Sequence, residues 1–240
     1  RVMLEKYGVE LKLGQTVDTE TLNSGTFDLV VLSTGVKPRE LELDGIDHPK
    51  VMSYLDVLDK ERVVGQKVAV IGAGGIGIDV AHYLTAQTPF SGEVPEYLQG
   101  YGILDSEKAL ALRKPKKREV TVLQRSADKI GKRLGKTTGW AHIQTLKSHG
   151  VQLLTGATYR KIDDAGLHVK VSLKKGEEAQ EIVMDVDTVI VAAGQEPRLD
   201  LEASLREAGM VVHVIGGAKA SLGLDAKTAI RDGAELAAKL

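Results

Sequence analysis

The segment KVAVIGAGGIGIDVAHYL, which begins at Lys67, runs from an apolar stretch through a glycine cluster into a helical pattern. Gly72, Gly74 and Gly77 complete the spacing G-x-G-x-x-G between the predicted strand and the predicted helix. The first glycine allows a tight turn, the second lets the backbone approach a pyrophosphate, and the third lets the helix pack closely on the strand. The segment therefore predicts a dinucleotide site, with a purely structural glycine turn as the alternative. The predicted contacts are Gly72, Ala73, Gly74, Gly75, Ile76 and Gly77.

Strands and helices alternate around this segment. A strand at Lys67–Ile71 and a helix from Ile76 to about Ala86 precede a strand at Glu119–Leu123 and a helix at Trp140–Ser148. This alternation predicts an α/β fold, with a parallel sheet covered on both faces. Residues 85–118 are predicted to be a surface insertion, and the basic run that ends it a solvated entry to the next strand rather than a binding site.

The stretch from Val151 to about Val186 has a different pattern. VQLLTGATYRKID and LHVKVSL are predicted as two strands joined by a turn at residues 163–166, and EEAQEIVMDV as a third. Consecutive strands with short connections predict an antiparallel meander attached to the parallel sheet. Asp163 and Asp164 are interpreted as turn residues and not as a catalytic carboxylate pair.

One phrase occurs twice. DLVVLSTGVKP from Asp28 and DTVIVAAGQEP from Asp187 both read D-x-V-x-x-x-x-G-x-x-P. An apolar β-branched run is typical of a buried parallel strand, and the glycine, Gly35 or Gly194, lets the following loop approach a ligand closely. Unless the agreement arose by chance, the chain holds parts of two similar dinucleotide-type domains.

The end of the second predicted strand bears on the choice of cofactor. An NAD site places Asp or Glu there to hold the ribose 2′-hydroxyl, whereas a 2′-phosphate needs cations. Here EVTVLQR ends in Gln124 and Arg125. Because Arg pairs bidentately with phosphate, NADP(H) is favoured; the alternative is that the loop cations are only solvated. These further cations are Lys129, Lys132, Arg133 and Lys136.

The remaining segments are assigned to a second domain. VIGG, ending at Gly216 and Gly217, and a helix beginning near Asp225 are predicted to meet that domain's ligand, although the two glycines could form an ordinary strand-ending turn. The chain opens with the tail of a helix and a predicted strand at Val9–Leu13, which suggests a start within this domain. The predicted domains are residues 1–66, 67–195 and 196–240, the outer two forming one domain.

Composition excludes several function classes. The chain of 240 residues has 32 Lys and Arg against 33 Asp and Glu, so its charge gives no case for a nucleic-acid or membrane partner. A cytoplasmic location is expected. With 0 Cys, it has no thiolate zinc site, cluster ligand or redox cysteine pair. On this ground the expectation is that the chain is not a pyridine nucleotide–disulfide reductase.

Three conspicuous side chains have ordinary interpretations. Trp140, the only tryptophan, is predicted to pack rather than to stack on a cofactor. His142 and His149 lie seven residues apart on the predicted helix without a third ligand, and no metal site is predicted.

Several phrases together resemble the C-terminal half of bacterial-type NADPH-dependent 2,4-dienoyl-CoA reductase, an iron–sulfur flavoenzyme of unsaturated fatty-acid β-oxidation. The resemblance covers nearly the whole chain, and LGKTTGW at residues 134–140 is its most specific part. The phrases are VAVIGAGGIGIDVAHYL, VLQRSADKIGKRLGKTTGWAH, YRKIDDAGLHV, VIVAAGQEP and VIGGAKASLGLDAKTAIRDG.

The resemblance implies a Rossmann-like NADP(H)-binding domain inserted in a partial FAD-binding domain of similar fold. In the full enzyme, an N-terminal barrel with FMN and a 4Fe-4S cluster would bind the unsaturated acyl-CoA, so no catalytic residue is carried over to this chain. The family usually has an acidic residue where this sequence has Lys219. By position, the nucleotide ligands would be the glycine segment with Arg125, Lys129, Lys136 and Gly194, and the FAD ligands Gly35, Gly216, Gly217 and Asp225.

The sequence thus predicts the NADPH-binding part of a dienoyl-CoA reductase, which passes a hydride from NADPH to FAD. Two alternatives stay open. The chain could be the pyridine-nucleotide module of another barrel-bearing flavin oxidoreductase, or a nucleotide-binding module without turnover.

Overall fold

The structure is a computed structural model that describes residues 2–25, 27–58, 62–85, 118–132, 134–135, 137–172 and 177–240. The chain folds into two compact units. The first, called the flanking unit, comprises Arg1–Lys37 and Gln195–Leu240. The second, called the central unit, comprises Pro38–Gly194. The predicted insertion beyond Thr85 and most of the basic run lie outside the described residues.

The strands are β1 (Val30–Leu32), β2 (Val36–Pro38), β3 (Val51–Ser53), β4 (Lys67–Ile71), β5 (Glu119–Leu123), β6 (Gln152–Leu154), β7 (Thr158–Asp163), β8 (Gly166–Val171), β9 (Gln180–Met184), β10 (Thr188–Val191), β11 (Gln195–Pro197) and β12 (Val212–Val214). The helices are α1 (Val2–Lys6), α2 (Thr19–Asn23), α3 (Tyr54–Leu58), α4 (Gly75–Thr85), α5 (Gly139–Ser148), α6 (Glu202–Glu207) and α7 (Ala226–Ala237). A 3-10 turn spans Gly216–Ala218.

The central unit is built on a five-stranded sheet in the order β3-β10-β4-β5-β6. Every pairing in it is parallel. The predicted α/β class is confirmed, and the predicted bounds of β4 and β5 agree with the structure. Both strands are β-branched runs buried on both faces, as is typical of parallel strands between two layers.

The two faces of this sheet bury different side chains, because alternate residues of a strand point in opposite directions. On one face, Val68 and Val70 of β4 pack in a cluster with Leu84 of α4 and Leu146 of α5. On the other face, Ala69 and Ile71 pack in a cluster with residues of the meander, including Leu167 and Val169. The sheet is therefore covered by helices on one side and by strands on the other.

The central unit begins earlier than the predicted boundary at residue 66. β3 pairs along β10, with Val51 opposite Val189, so it forms the edge of the nucleotide-type sheet. Upstream of β3, a Cβ on Gly45 would lie 1.9 Å from the carbonyl oxygen of Ile162. These contacts place residues 38–66 with the central unit and not with the flanking segments.

The antiparallel meander is present, but it starts later than predicted. β7, β8 and β9 form the three-stranded sheet, whereas β6 joins the parallel sheet beside β5. The interpretation of VQLLTGATYRKID as one strand was wrong, because the backbone turns at Gly156, where φ is +69°. Asp163 and Asp164 lie at the turn between β7 and β8, as predicted.

The flanking unit has a small core. β1 pairs in parallel with β12, with Val30 opposite Val212, and the buried side chains of Leu32, Leu205 and Val212 pack together. The predicted strand at Val9–Leu13 was wrong: these residues are exposed and lie outside every strand of the described chain. An alternating pattern gives a strand only where a partner strand completes its hydrogen bonds.

The two copies of the repeated phrase end in matching backbone contacts. In the flanking unit, the N–H of Arg198 donates to the carbonyl oxygen of Gly35 at 3.0 Å. In the central unit, the N–H of Arg39 donates to the carbonyl oxygen of Gly194 at 3.1 Å. Both glycines have positive φ, +74° at Gly35 and +117° at Gly194. The repeat therefore corresponds to a repeated local structure.

Within the described part of the chain, every helix is too short or too polar to span a lipid bilayer.

Candidate functional site

The glycine segment lies between β4 and α4, at the carboxyl edge of the parallel sheet. The N–H of Gly72 donates to the carbonyl oxygen of Leu123 at 2.9 Å, which fixes the start of the loop against the end of β5. A Cβ on Gly72 would lie 2.2 Å from the carbonyl oxygen of Ala192, and one on Gly77 would lie 1.9 Å from the carbonyl oxygen of Gly72. Both positions therefore require glycine for close packing of loop, strand and helix.

Gly74 and Gly75 face open space, because a Cβ on either would meet no atom within 4 Å. Gly74 precedes α4 and Gly75 begins it, and the first amides of the helix have no carbonyl partner inside it. Ala73 and Ile76 are partly buried beside them. An open, glycine-lined approach to a helix N-terminus fits a pyrophosphate.

The predicted cations follow β5. Gln124 orders this loop, since its side-chain amide donates to the carbonyl oxygens of Ser126 at 3.0 Å and Asp128 at 2.8 Å. Arg125 and Lys129 are exposed beyond it. Lys132 instead pairs with the Asp128 carboxylate at 2.9 Å. Arg133 and Lys136 lie outside the described residues.

Tyr159 supports the same strand end and was missed in the sequence. Its hydroxyl donates to the carbonyl oxygen of Leu123 at 3.2 Å, so this one oxygen accepts from both Tyr159 and Gly72. Burial raises the pKa of Tyr159, and the nearby positive charge of Arg125 opposes that rise. Tyr159 therefore ties the meander to the loop that carries the predicted phosphate ligand.

Gly194 follows β10, which ends at Val191. Ala192, the residue directly after this strand, packs against Gly72. The side chain of Arg39 packs over Gly194: a Cβ there would lie 3.5 Å from the guanidinium carbon. The contact of Gly72 with Ala192 brings the end of β10 beside the glycine segment, at the edge where the sequence places Gly194.

The flanking unit has its own groove of about 490 Å³. The predicted residues Gly35, Gly216, Gly217 and Asp225 all line it. Small residues are needed here, because a Cβ on Gly217 would come within 3.1 Å of the Gly35 Cα. The other lining residues are Ser33, Ile215, Leu224, Ala226 and Ala229.

Asp225 is the N-cap of α7. Its carboxylate accepts from the N–H of Thr228 at 2.7 Å, and this hydrogen bond is the main cause of the lowered pKa of Asp225. The predicted start of the terminal helix is confirmed. The carboxylate is engaged by its own helix while the residue lines the groove.

Asp232 is a second acidic residue near this groove, and nothing in the sequence pattern signals its role. One carboxylate oxygen accepts from the N–H of Gly216 at 3.2 Å, and the other lies 3.4 Å from the Lys219 ammonium. Lys219, at the position where the resemblance expects an acid, is thus paired with a carboxylate from α7.

Histidines meet between α4 and α5. The rings of His82 and His142 make an edge contact with centroids 5.3 Å apart, and His149 Nδ1 lies 3.4 Å from the Thr85 hydroxyl. Burial and the neighbouring His142 lower the pKa of His82. Among the described residues, no group of three or more metal-ligating side chains is arranged to hold a metal ion.

The predicted packing of Trp140 was wrong. The side chain is 72% exposed on the first turn of α5. Only its indole N–H has a described partner, the carbonyl oxygen of Thr137 at 3.0 Å.

The chain is similar to reductases of several kinds. It is 26% identical over 215 residues to a metal reductase of Desulforamulus reducens, covering 88% of this chain and 31% of that protein. It is 27% identical over 206 residues to a cinnamate reductase of Clostridium sporogenes, covering 85% and 25%. The chain therefore spans less than a third of the length of these relatives.

A solved structure has the same fold. The 2-naphthoyl-CoA reductase in complex with 2-naphthoyl-CoA superposes with a TM-score of 0.75 at 24% identity, covering 100% of this chain and 31% of the reductase chain. At this identity the likeness establishes the fold.

A profile of the pyridine nucleotide-disulphide oxidoreductases matches residues 1–219. The sequence-based exclusion of this class was therefore wrong. Absence of cysteine excludes dithiol chemistry within these 240 residues, but the fold depends on nucleotide-binding loops and not on a cysteine pair. By this match over most of its length, the chain belongs to the pyridine nucleotide-disulphide oxidoreductase family.

Proposed function

We propose that this chain is the pyridine-nucleotide and flavin module of an NADPH-dependent reductase. The family implies binding of FAD and NAD(P)H. NADP(H) is assigned to the glycine segment of the central unit, and FAD to the groove of the flanking unit. The observation that carries the proposal is the open glycine approach to α4, followed at the next strand end by Arg125 and no carboxylate.

The preference for NADP(H) follows from charge. A ribose 2′-phosphate is a dianion that gains from the guanidinium of Arg125 and the ammonium of Lys129, whereas a 2′-hydroxyl needs an acceptor. The side-chain amide nitrogen of Gln124 donates to two loop carbonyls, which holds this side chain within the loop. Its uncharged oxygen carries no negative charge that would repel a 2′-phosphate.

The groove of the flanking unit suits a second dinucleotide. More than half of its lining residues are glycines and alanines, and Asp225 and Ala226 at the start of α7 also line it. When bound, FAD supplies the acceptor of the nicotinamide hydride. The protein's own part is to hold both nucleotides by backbone amides and to keep the Gly216 turn in place through Asp232.

For the whole protein, we propose reduction of a 2,4-dienoyl-CoA in β-oxidation. The proposal rests on the family resemblance of the quoted phrases, LGKTTGW above all, and the similar 2-naphthoyl-CoA reductase also acts on a CoA thioester. A barrel with FMN and a 4Fe-4S cluster would complete that enzyme. Reduction of a cinnamate-like acid is the competing activity, because a cinnamate reductase is among the relatives.

Calorimetric titration of the 240-residue chain with NADP⁺ and NAD⁺, together with an absorption spectrum after incubation with FAD, tests the module. We expect NADP⁺ to bind at least tenfold more tightly than NAD⁺, and flavin absorbance to stay with the protein after gel filtration. Equal affinities would remove the assignment of Arg125, and absence of nucleotide binding would reject the module. With the full-length protein, NADPH oxidation driven by a 2,4-dienoyl-CoA but not by cinnamate would support the substrate.

A further inference from the structure

Trp140 is exposed, and its indole is anchored by one hydrogen bond. The indole N–H donates to the carbonyl oxygen of Thr137 at 3.0 Å, so the only polar group of the side chain is already paired. The 72% exposure of Trp140 is therefore mainly exposure of ring carbon. An aromatic side chain anchored through its polar edge offers a flat apolar surface to a ligand.

Short turns connect the cationic loop to this ring. The N–H of Leu134 donates to the carbonyl oxygen of Gly131 at 3.1 Å, and the N–H of Gly139 to that of Gly135 at 2.8 Å. These bonds lie between the loop after β5 and the first turn of α5, which carries Trp140.

Two glycines allow the loop after β5 to pack closely against α5. A Cβ on Gly139 would lie 2.6 Å from the Leu134 Cβ, and one on Gly131 would lie 2.8 Å from Ile143 Cγ1. Larger residues at these positions would push the loop away from α5. The packing therefore holds the N-terminal half of α5, which carries Trp140, against Gly131 and Leu134, residues that follow Lys129 in the chain.

The location of Trp140 corresponds to the adenine end of a bound dinucleotide. In a nucleotide-binding βαβ unit, the pyrophosphate lies at the glycine loop and the adenosine ribose at the end of the next strand, here β5. The adenine base continues outward from that ribose, over the loop that follows the strand. Aromatic side chains stack on nucleobases through their ring faces.

We propose that Trp140 is the platform on which the adenine ring of the bound dinucleotide stacks. The inference rests on the proposed function, because it places the adenine half of the same ligand. Arg125 and Lys129 then bind phosphates of that half, and Trp140 contributes affinity for the base.

The sole tryptophan allows a direct test in the 240-residue chain. Its fluorescence is followed during titration with adenosine 2′,5′-bisphosphate, and separately with nicotinamide mononucleotide, which lacks adenine. We expect the first ligand to quench the emission by about half or more and to protect the indole from acrylamide. The second should do neither.

Variants separate stacking from folding. We expect W140A to bind adenosine 2′,5′-bisphosphate about tenfold more weakly in calorimetry, and W140F to stay within about threefold of wild type, because a phenyl ring can still stack. Y83A removes another exposed aromatic side chain, 45% exposed on α4, and should bind normally. Since Trp140 is exposed, W140A should keep its Tm within about 2 °C.

The inference is overturned if W140A binds the bisphosphate within twofold of wild type while the indole stays accessible to acrylamide; Trp140 would then belong to a protein contact. If wild type binds NADP⁺ in that case, the proposed function stands without the adenine platform. If wild type binds neither NADP⁺ nor the bisphosphate, both fail together.

Discussion

The N–H of Gly72 donates to the carbonyl oxygen of Leu123 at 2.9 Å, and this bond joins the first glycine of the loop to the end of the neighbouring strand. It joins the carboxyl ends of β4 and β5 into one hydrogen-bonded structure. Some glycines of this loop are packed against the backbone, as Gly72 is, and others face open space, as Gly74 does. We expect substitution of the first kind to reduce stability and substitution of the second kind to reduce nucleotide binding.

Gly72→Ala should destabilise the fold, because its Cβ would lie 2.2 Å from a backbone oxygen and φ is +115°. The expected cost is roughly 2–4 kcal/mol in urea unfolding. Gly74→Ala is the matched control, since a Cβ there meets nothing within 4 Å. Its stability should change by less than about 1 kcal/mol, while calorimetry shows NADP⁺ affinity reduced tenfold or more. Equal loss of stability in both variants would contradict this division.

Arg125→Ala should weaken NADP⁺ binding about tenfold and leave NAD⁺ binding nearly unchanged, because the guanidinium is assigned to the 2′-phosphate. Parallel calorimetric titrations with the two nucleotides provide the measurement. Lys170→Ala, which removes an exposed cation from β8, is the control for net charge. A similar loss for both nucleotides would assign Arg125 to the pyrophosphate instead.

Stability should fall in mild acid because of His82. Burial and His142 lower the pKa of His82 below its ordinary 6.5, so the unfolded chain binds a proton that the folded chain resists. This contribution is fully present above about pH 6.5 and decreases as the pH falls through the folded-state value. Urea midpoints at pH 8 and pH 5.5 should differ less in His82→Gln than in wild type. His213→Gln, on β12, controls for loss of an imidazole; an unchanged pH dependence in His82→Gln would refute the assignment.

Asp232→Ala should weaken FAD binding by roughly tenfold, because the Gly216 N–H loses its acceptor and Lys219 its partner. Asp232→Asn keeps an oxygen for Gly216 and should retain most of the affinity. Flavin fluorescence quenching measures both variants. Asp200→Ala, which removes an exposed ion pair with Arg198, should have no effect.

The two units should differ in their tolerance of core truncation. Leu205 and Leu146 are both fully buried, and Leu→Ala costs about 2–5 kcal/mol at such sites. Among the described residues, Leu32 and Val212 are the other buried members of the Leu205 cluster, and the side chains around them are only partly buried. Leu205→Ala should therefore expose the flanking unit to proteolysis at 25 °C. Leu146→Ala should lower the Tm but leave a protected central unit, because its cluster is larger. Mass spectrometry of limited digests distinguishes the two outcomes.

The sequence predicts best what depends on local pattern. The bounds of β4 and β5 were correct because a buried β-branched run admits few other structures, and the N-cap at Asp225 was correct because its carboxylate acts within its own helix. The wrong strand prediction at Val9–Leu13 shows one limit, because an alternating pattern does not show whether a partner strand is present. The wrong prediction for Trp140 shows another limit, because the residue type alone does not determine whether a side chain is buried or exposed.

Contacts between residues far apart in the chain could not be predicted from the sequence. Tyr159 lies 36 residues from Leu123, and nothing in its neighbourhood signals that its hydroxyl reaches a strand end. Asp232 lies 16 residues from Gly216, and its sequence context marks it only as a polar residue of a helix. The close packing of Gly72 and Gly77 was predictable, because the spacing of these glycines is set by the loop itself.

The hydrogen bond between Arg39 and Gly194 determines how the central unit can be re-engineered as a separate domain. Because its second residue, Arg39, is hydrogen-bonded at 3.1 Å to its last residue, Gly194, the two ends of the unit lie side by side. A unit with neighbouring ends can be inserted into a loop of another protein without stretching the backbone. Its ends can also be joined by a few glycines and new termini opened in an exposed loop. The central unit is thus suited to transplantation and to circular permutation.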